Sequence, residues 1–99
     1  MNEEQLDKYL SRSCKTYGVY CRKLVAVGQT GFPDRLLVMY GQAVFVELKS
    51  PTGKGVLSAK QKLEIGKMSA YGLDVRVIDS TVQVDALIAE LMSGCMCHA

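Results

Sequence analysis

The sequence predicts an α/β fold: a mixed β-sheet flanked by helices, in the order α-β-β-β-α-β-α. Three observations carry that prediction. Short apolar runs at 19–27, 34–40, 43–49 and 73–79 read as strands, set apart by glycine-containing loops. Apolar residues recur at helical spacing over 3–17, 58–71 and 82–92. The third strand, second helix and fourth strand form a crossover, which sets those two strands parallel and is expected to be right-handed. The three earlier strands can form an antiparallel meander, so the sheet is mixed.

Each element has a local reason. Asn2 can cap a helix beginning at Glu3. Leu6, Tyr9, Leu10 and Cys14 form its apolar stripe, and Gly18 ends it. VYCRKLVAV reads as the first strand and GQTGFP as a loop. Gly41 suits the first central position of a two-residue type II′ turn, which places a Gly41-Gln42 turn between strands two and three. SPTGKGV is a polar loop, and it lacks the GK[ST] ending of a phosphate-binding P-loop. In the second helix Leu57, Gln61, Ile65, Met68 and Tyr71 share one stripe, with Gln61 its polar member. Ala59, Leu63 and Ala70 form a second apolar strip opposite it. Gly72 stops that helix, LDVRVID is the fourth strand, and 82–92 is the last helix.

A chain of 99 residues suggests one domain over 1–99, with a flexible tail at 93–99. No apolar run reaches the roughly 18 residues of a membrane span. The acidic start MNEEQLDKYL does not resemble a secretory signal, so an intracellular site is expected. A net charge of +2 is too weak to mark a nucleic-acid binder from composition alone, while leaving room for a local basic patch. Cys14, Cys21, Cys95 and Cys97 are then expected as free thiols. The tail CMCHA brings Cys95, Cys97 and His98 together, but it lacks a second paired set of ligands. A frayed tail without metal is the expectation there.

The stretch GFPDRLLVMYGQAVFVELK puts three charges into strand sequence: Asp34, Glu47 and Lys49. With a Gly41-Gln42 turn, Tyr40 pairs with Ala43, Leu36 with Glu47 and Asp34 with Lys49. The three charges then converge on one face at one end of the hairpin, and Leu37, Met39, Val44, Val46 and Leu48 occupy the other. Two neighbouring carboxylates repel unless a cation lies between them, and Mg²⁺ suits such an oxygen site. A structural ion pair, with Lys49 satisfying both acids, fits the same spacing.

GFPDR followed by VFVELKSP resembles the VRR-NUC domain, a branch of the PD-(D/E)XK nuclease superfamily. Pro33-Asp34 matches its PD element and Glu47-Leu48-Lys49 its (D/E)XK element. The likeness runs from about residue 3 to 80, through Gln61 and YGLDVRVIDS. It implies a restriction-endonuclease-like core and a Mg²⁺- or Mn²⁺-dependent DNA endonuclease of a type found in phage and bacterial replication and repair. Asp34, Glu47 and the Leu48 backbone carbonyl would be metal ligands, and Lys49 would position the nucleophilic water. A helix-one acid would lie near the metal, directly or through water. Glu3 shares the stripe of Leu6 and Leu10, while Glu4 faces Lys8 at i+4, so Glu3 is the choice. The resemblance gives Gln61 an active-site role. Lys23, Arg35, Lys54 and Lys60 are candidates for DNA phosphate contact. A branched substrate such as a four-way junction, cut by a homodimer that meets through the Ala59-Leu63-Ala70 strip, is the expected setting. The rival reading is a catalytically inactive nucleic-acid-binding module on the same fold.

Overall fold

The computed structural model describes residues 1–25, 28, 31–53 and 55–94. The element order is the predicted one: α1 (Glu3–Tyr17), β1 (Tyr20–Lys23), β2 (Arg35–Met39), β3 (Gln42–Leu48), α2 (Ala59–Ala70), β4 (Asp74–Ile78) and α3 (Thr81–Met92). α1 is fixed at both ends. The Asn2 side chain accepts from Gln5 N at 2.8 Å while the Gln5 side chain accepts from Asn2 N, a reciprocal cap. Gly18 closes the helix in the left-handed region, at φ 73°.

The four strands form one sheet in the order β1-β2-β3-β4. β1, β2 and β3 are a meander of antiparallel pairs, and β3 and β4 are parallel. The hairpin differs from expectation in its turn. Met39 pairs with Gln42, so the turn is Tyr40-Gly41 rather than Gly41-Gln42. Both turn residues have positive φ, 51° and 77°, the requirement of a type I′ turn, whose twist matches that of the flanking strands. Moving the turn by one residue changes the pairing by two, so every side chain keeps its face. Arg35 faces Val46 and Leu36 faces Phe45. Continuing that register sets Asp34 across from Glu47, not from Lys49.

One face of the sheet carries the core. Leu37, Val44, Val46, Leu48 and Ile78 meet Leu6, Leu10 and Cys14 of α1 and Val84, Leu87, Ile88 and Leu91 of α3. Leucines 6, 10 and 37 have no exposed surface, and burying each contributes about 1.5–3 kcal/mol. Cys14 and Cys21 lie in or against this core as free thiols. α2 packs by β4 on the opposite side, burying only Met68 among its own residues.

Two element ends differ from the expected ones. β1 covers Tyr20–Lys23 rather than 19–27: Leu24 N–H still bonds the Asp34 carbonyl at 2.8 Å, but Val25 is already 82% exposed. Ala26 and Val27 lie outside the described residues. Tyr71 leaves the predicted stripe, because α2 ends at Ala70 and Tyr71 is its exposed C-cap. Among the described residues no helix is long and apolar enough to cross a membrane.

Candidate active site

The end of β3 brings the sequence-marked charges together. Glu47 is 2% exposed, the single charged residue buried to that degree among those described. Its Oε2 accepts from Gln61 Nε2 at 2.9 Å and lies 3.4 Å from Lys49 Nζ. Its Oε1 is buried and has no hydrogen-bond partner among the described residues. A buried carboxylate oxygen left unsatisfied costs more than a neutral one, on the order of several kcal/mol for an isolated ion. Burial, and then repulsion from Asp34, push the Glu47 carboxyl up to about 7, against the opposing pull of Lys49. Glu3 raises it further, so the N-terminus of α1 is within electrostatic reach.

Asp34 is placed by backbone on both sides. Its N–H bonds Val46 O at 2.9 Å, its carbonyl accepts from Leu24, and its Oδ2 accepts from Leu48 N at 2.8 Å. The last bond locks the carboxylate against the strand that carries Glu47. The loop before it is anchored by Phe32, whose ring meets Phe45 edge-on at 6.1 Å, and by buried Pro33. Gly31 explains how this loop meets α2. At φ 87°, a Cβ there would lie 2.7 Å from the Lys60 carbonyl oxygen and 3.0 Å from Gln61 N. Only glycine lets the loop approach the first turn of α2 so closely.

That turn presents Gln61. Ser58 caps α2 by accepting from Gln61 N at 3.1 Å, while Gln61 Oε1 accepts from Ser58 N at 2.9 Å. The amide oxygen is therefore occupied, and Nε2 is aimed at Glu47. The S-x-x-Q pattern of a capping box was in the sequence and singles out Ser58 as the residue that orients Gln61.

A cleft at the strand ends is lined by Glu3, Glu4, Asp7, Lys23, Asp34, Arg35 and Leu48. Glu3 is exposed at its rim rather than packed on the sheet. Glu4 lines the cleft too, while its carboxylate stands 3.8 Å from Lys8, the expected i,i+4 pair. Arg35 is committed elsewhere: Nε and Nη2 bind both oxygens of Asp7 at 2.9 and 2.8 Å. That fork ties β2 to α1, a pair that sequence spacing alone gave no means to find. Lys23 and Lys60 are exposed. Lys54, like Cys95, Cys97 and His98, lies outside the described residues.

No family profile matches the chain. A protein of Acyrthosiphon pisum secondary endosymbiont phage 1 named "Putative nuclease p44" is 33% identical over 81 residues, covering 81% of this chain and 85% of its own length. A solved structure named "VRR_NUC domain" superposes with a TM-score of 0.78 at 31% identity, over 88% of this chain and 94% of that one. The chain belongs to the VRR-NUC family of nucleases. In this VRR-NUC chain Asp34 is joined to the Glu47-Leu48-Lys49 stretch through the Leu48 N–H, and Lys49 Nζ lies 3.4 Å from Glu47 Oε2.

The fold implies a divalent cation, and the donors fit one. Among the described residues no three acid, histidine or cysteine side chains form a ready-made cluster. Two carboxylates, one with a buried oxygen that lacks a hydrogen-bond partner among the described residues, are instead the sparse all-oxygen set that suits a cation keeping several waters.

Proposed function

We propose that this protein is a Mg²⁺- or Mn²⁺-dependent DNA endonuclease, selective for branched DNA such as a four-way junction. The carrying observation is the Glu47 carboxylate: buried, raised to about 7 by burial and by Asp34, and with Oε1 lacking a hydrogen-bond partner among the described residues. In a structural ion pair both oxygens would be satisfied. Asp34, Glu47 and the Leu48 carbonyl would hold the cation, with Glu3 reaching it through water. Once bound, the cation would neutralise phosphate charge and lower the proton affinity of water. Lys49 Nζ, 14% exposed on its side chain, orients the attacking water and screens charge that develops on the phosphate. Water oxygen bonds to phosphorus as the water gives up a proton, one P–O ester bond breaks, and the departing oxygen takes up a proton. Gln61 is a positioning residue, since it holds Glu47 Oε2 and leaves Oε1 for the cation. Lys23 at the cleft rim and Lys60 at the start of α2 meet flanking phosphates. The setting is the DNA of the cell in which the protein is made.

Symmetric cutting of a branch needs two sites in fixed relation, and we propose a two-fold pair. Ala59, Leu63 and Ala70 are all exposed, Leu63 by 61%, because α1 and α3 lie on the opposite face. The test is a panel of linear, nicked, flapped and four-way DNA with and without each metal. Metal-dependent cutting of branched DNA, absent in Glu47→Gln, supports the reading. Salt-sensitive binding without cleavage under every metal would replace it with a binding module.

A further inference from the structure

We infer that the open half of the sheet is a platform for an unpaired strand of the substrate, with one base stacked on Tyr20 and a backbone phosphate on Arg22. This rests on the nuclease reading above. The core occupies one face of β1 and β2, through Cys21 and Leu37. Tyr20 and Arg22 therefore stand on the other face, in register with Val38 and Leu36. α2 lies by β4, and Tyr20 stays 50% exposed, with Arg22 and Ala43 exposed as well. The two platform side chains are already ordered: the Arg22 guanidinium carbon lies 4.8 Å from the Tyr20 ring centroid, and Arg22 Nε donates to Tyr20 Oη at 3.1 Å. One ring face is thus held by a cation, and half of the residue's surface stays exposed.

The surroundings favour nucleic acid over a second copy of the chain. Among the described residues no carboxylate pairs with Arg22, and the transverse rows Tyr20-Val38-Ala43 and Arg22-Leu36-Phe45 contain no acid. The next row, Leu24-Asp34, leads directly to the site. At ~3.3 Å per residue and ~4.8 Å between strands, Arg22 is roughly 12 Å and Tyr20 roughly 16 Å from Glu47. That is a span of a few nucleotides for a strand that runs across the sheet to the site. A ring can accept a base only where the base has left its own stack, so the occupant is unpaired.

The test separates binding from cutting. In a Glu47→Gln background, which carries no cleavage, flapped and fully paired duplexes bear 2-aminopurine at successive positions. Quenching should appear at one unpaired position of the flap and at no position of the fully paired duplex. Tyr20→Ala should abolish it and weaken flap binding about ten-fold, the scale of one lost stack, with duplex binding little changed. Tyr20→Phe should retain both, and Arg22→Gln should lower the log-log salt slope by about one. Unaltered flap affinity in Tyr20→Ala, an equal loss on duplex, or a change in sedimentation without a change in quenching would overturn the platform. A wild-type protein that cuts nothing would defeat the nuclease reading alone, because quenching is read without cleavage.

Discussion

Glu47 is the residue on which the energetics turn. Its folded-state pKa, about 7, lies above the ordinary 4.5. The metal-free folded state therefore holds the proton more tightly than the unfolded chain. The stability this gives is complete below about 4.5 and is lost as pH climbs toward 7, on the order of 3 kcal/mol at ~1.36 kcal/mol per unit. Denaturant midpoints of metal-free protein should fall across that window, and Glu47→Gln should flatten the fall. A flat wild-type profile would mean that Glu47 already has a partner for Oε1. Lys49 has a separable role. Lys49→Ala should slow single-turnover cleavage by roughly 10²-fold or more, with DNA affinity changed far less. A loss confined to affinity would make it a phosphate anchor. These three charges were legible in the sequence because charge inside strand sequence is conspicuous. Arg35 was not: its surroundings in sequence resemble those of any exposed cation, and its fork with Asp7 spans 28 positions.

At the scale of elements, the geometry depends on a loop meeting a helix end. Gly31→Ala would drive a Cβ into the Lys60 carbonyl, at a distance of 2.7 Å, at a backbone angle that L-residues rarely adopt. The loop or the first turn of α2 must then shift, carrying Gln61 off Glu47. Cleavage should drop by more than ten-fold, on the scale of a misplaced positioning group, while the circular dichroism of the fold persists. Unchanged activity would show that the loop can move independently of the site. The strands and helices were readable from periodicity and caps, down to Asn2 and Gly18 of α1. The turn was read one residue late, because a lone glycine serves either central position and Tyr40 is an uncommon residue at positive φ. The reading of faces survived because the resulting shift was by two. Tyr71 was misassigned for another reason: helical spacing says which side a residue would occupy, not where the helix stops.

At the scale of the whole molecule, the described residues leave Ala59, Leu63 and Ala70 of α2 and Tyr20 and Arg22 of β1 exposed. If the α2 strip is the two-fold contact, sedimentation at micromolar concentration should give about twice the 10.9 kDa chain mass. Leu63→Glu should give monomers that still bind metal but cut four-way DNA poorly. A wild-type monomer with full junction cleavage would remove the pair. The sequence could expose the strip but not its occupant, because an apolar helix face reads the same whether its partner belongs to the same chain or to another. The central claim is that Asp34 and Glu47 hold the divalent cation that cleavage requires. The most direct measurement is single-turnover cleavage of a four-way junction against Mg²⁺ concentration, with wild-type and Asp34→Asn proteins at matched folding. Wild type should show saturable dependence abolished by excess EDTA, and Asp34→Asn should show no cleavage at any Mg²⁺ concentration. Full activity of either protein in EDTA, or of Asp34→Asn in Mg²⁺, would contradict the account.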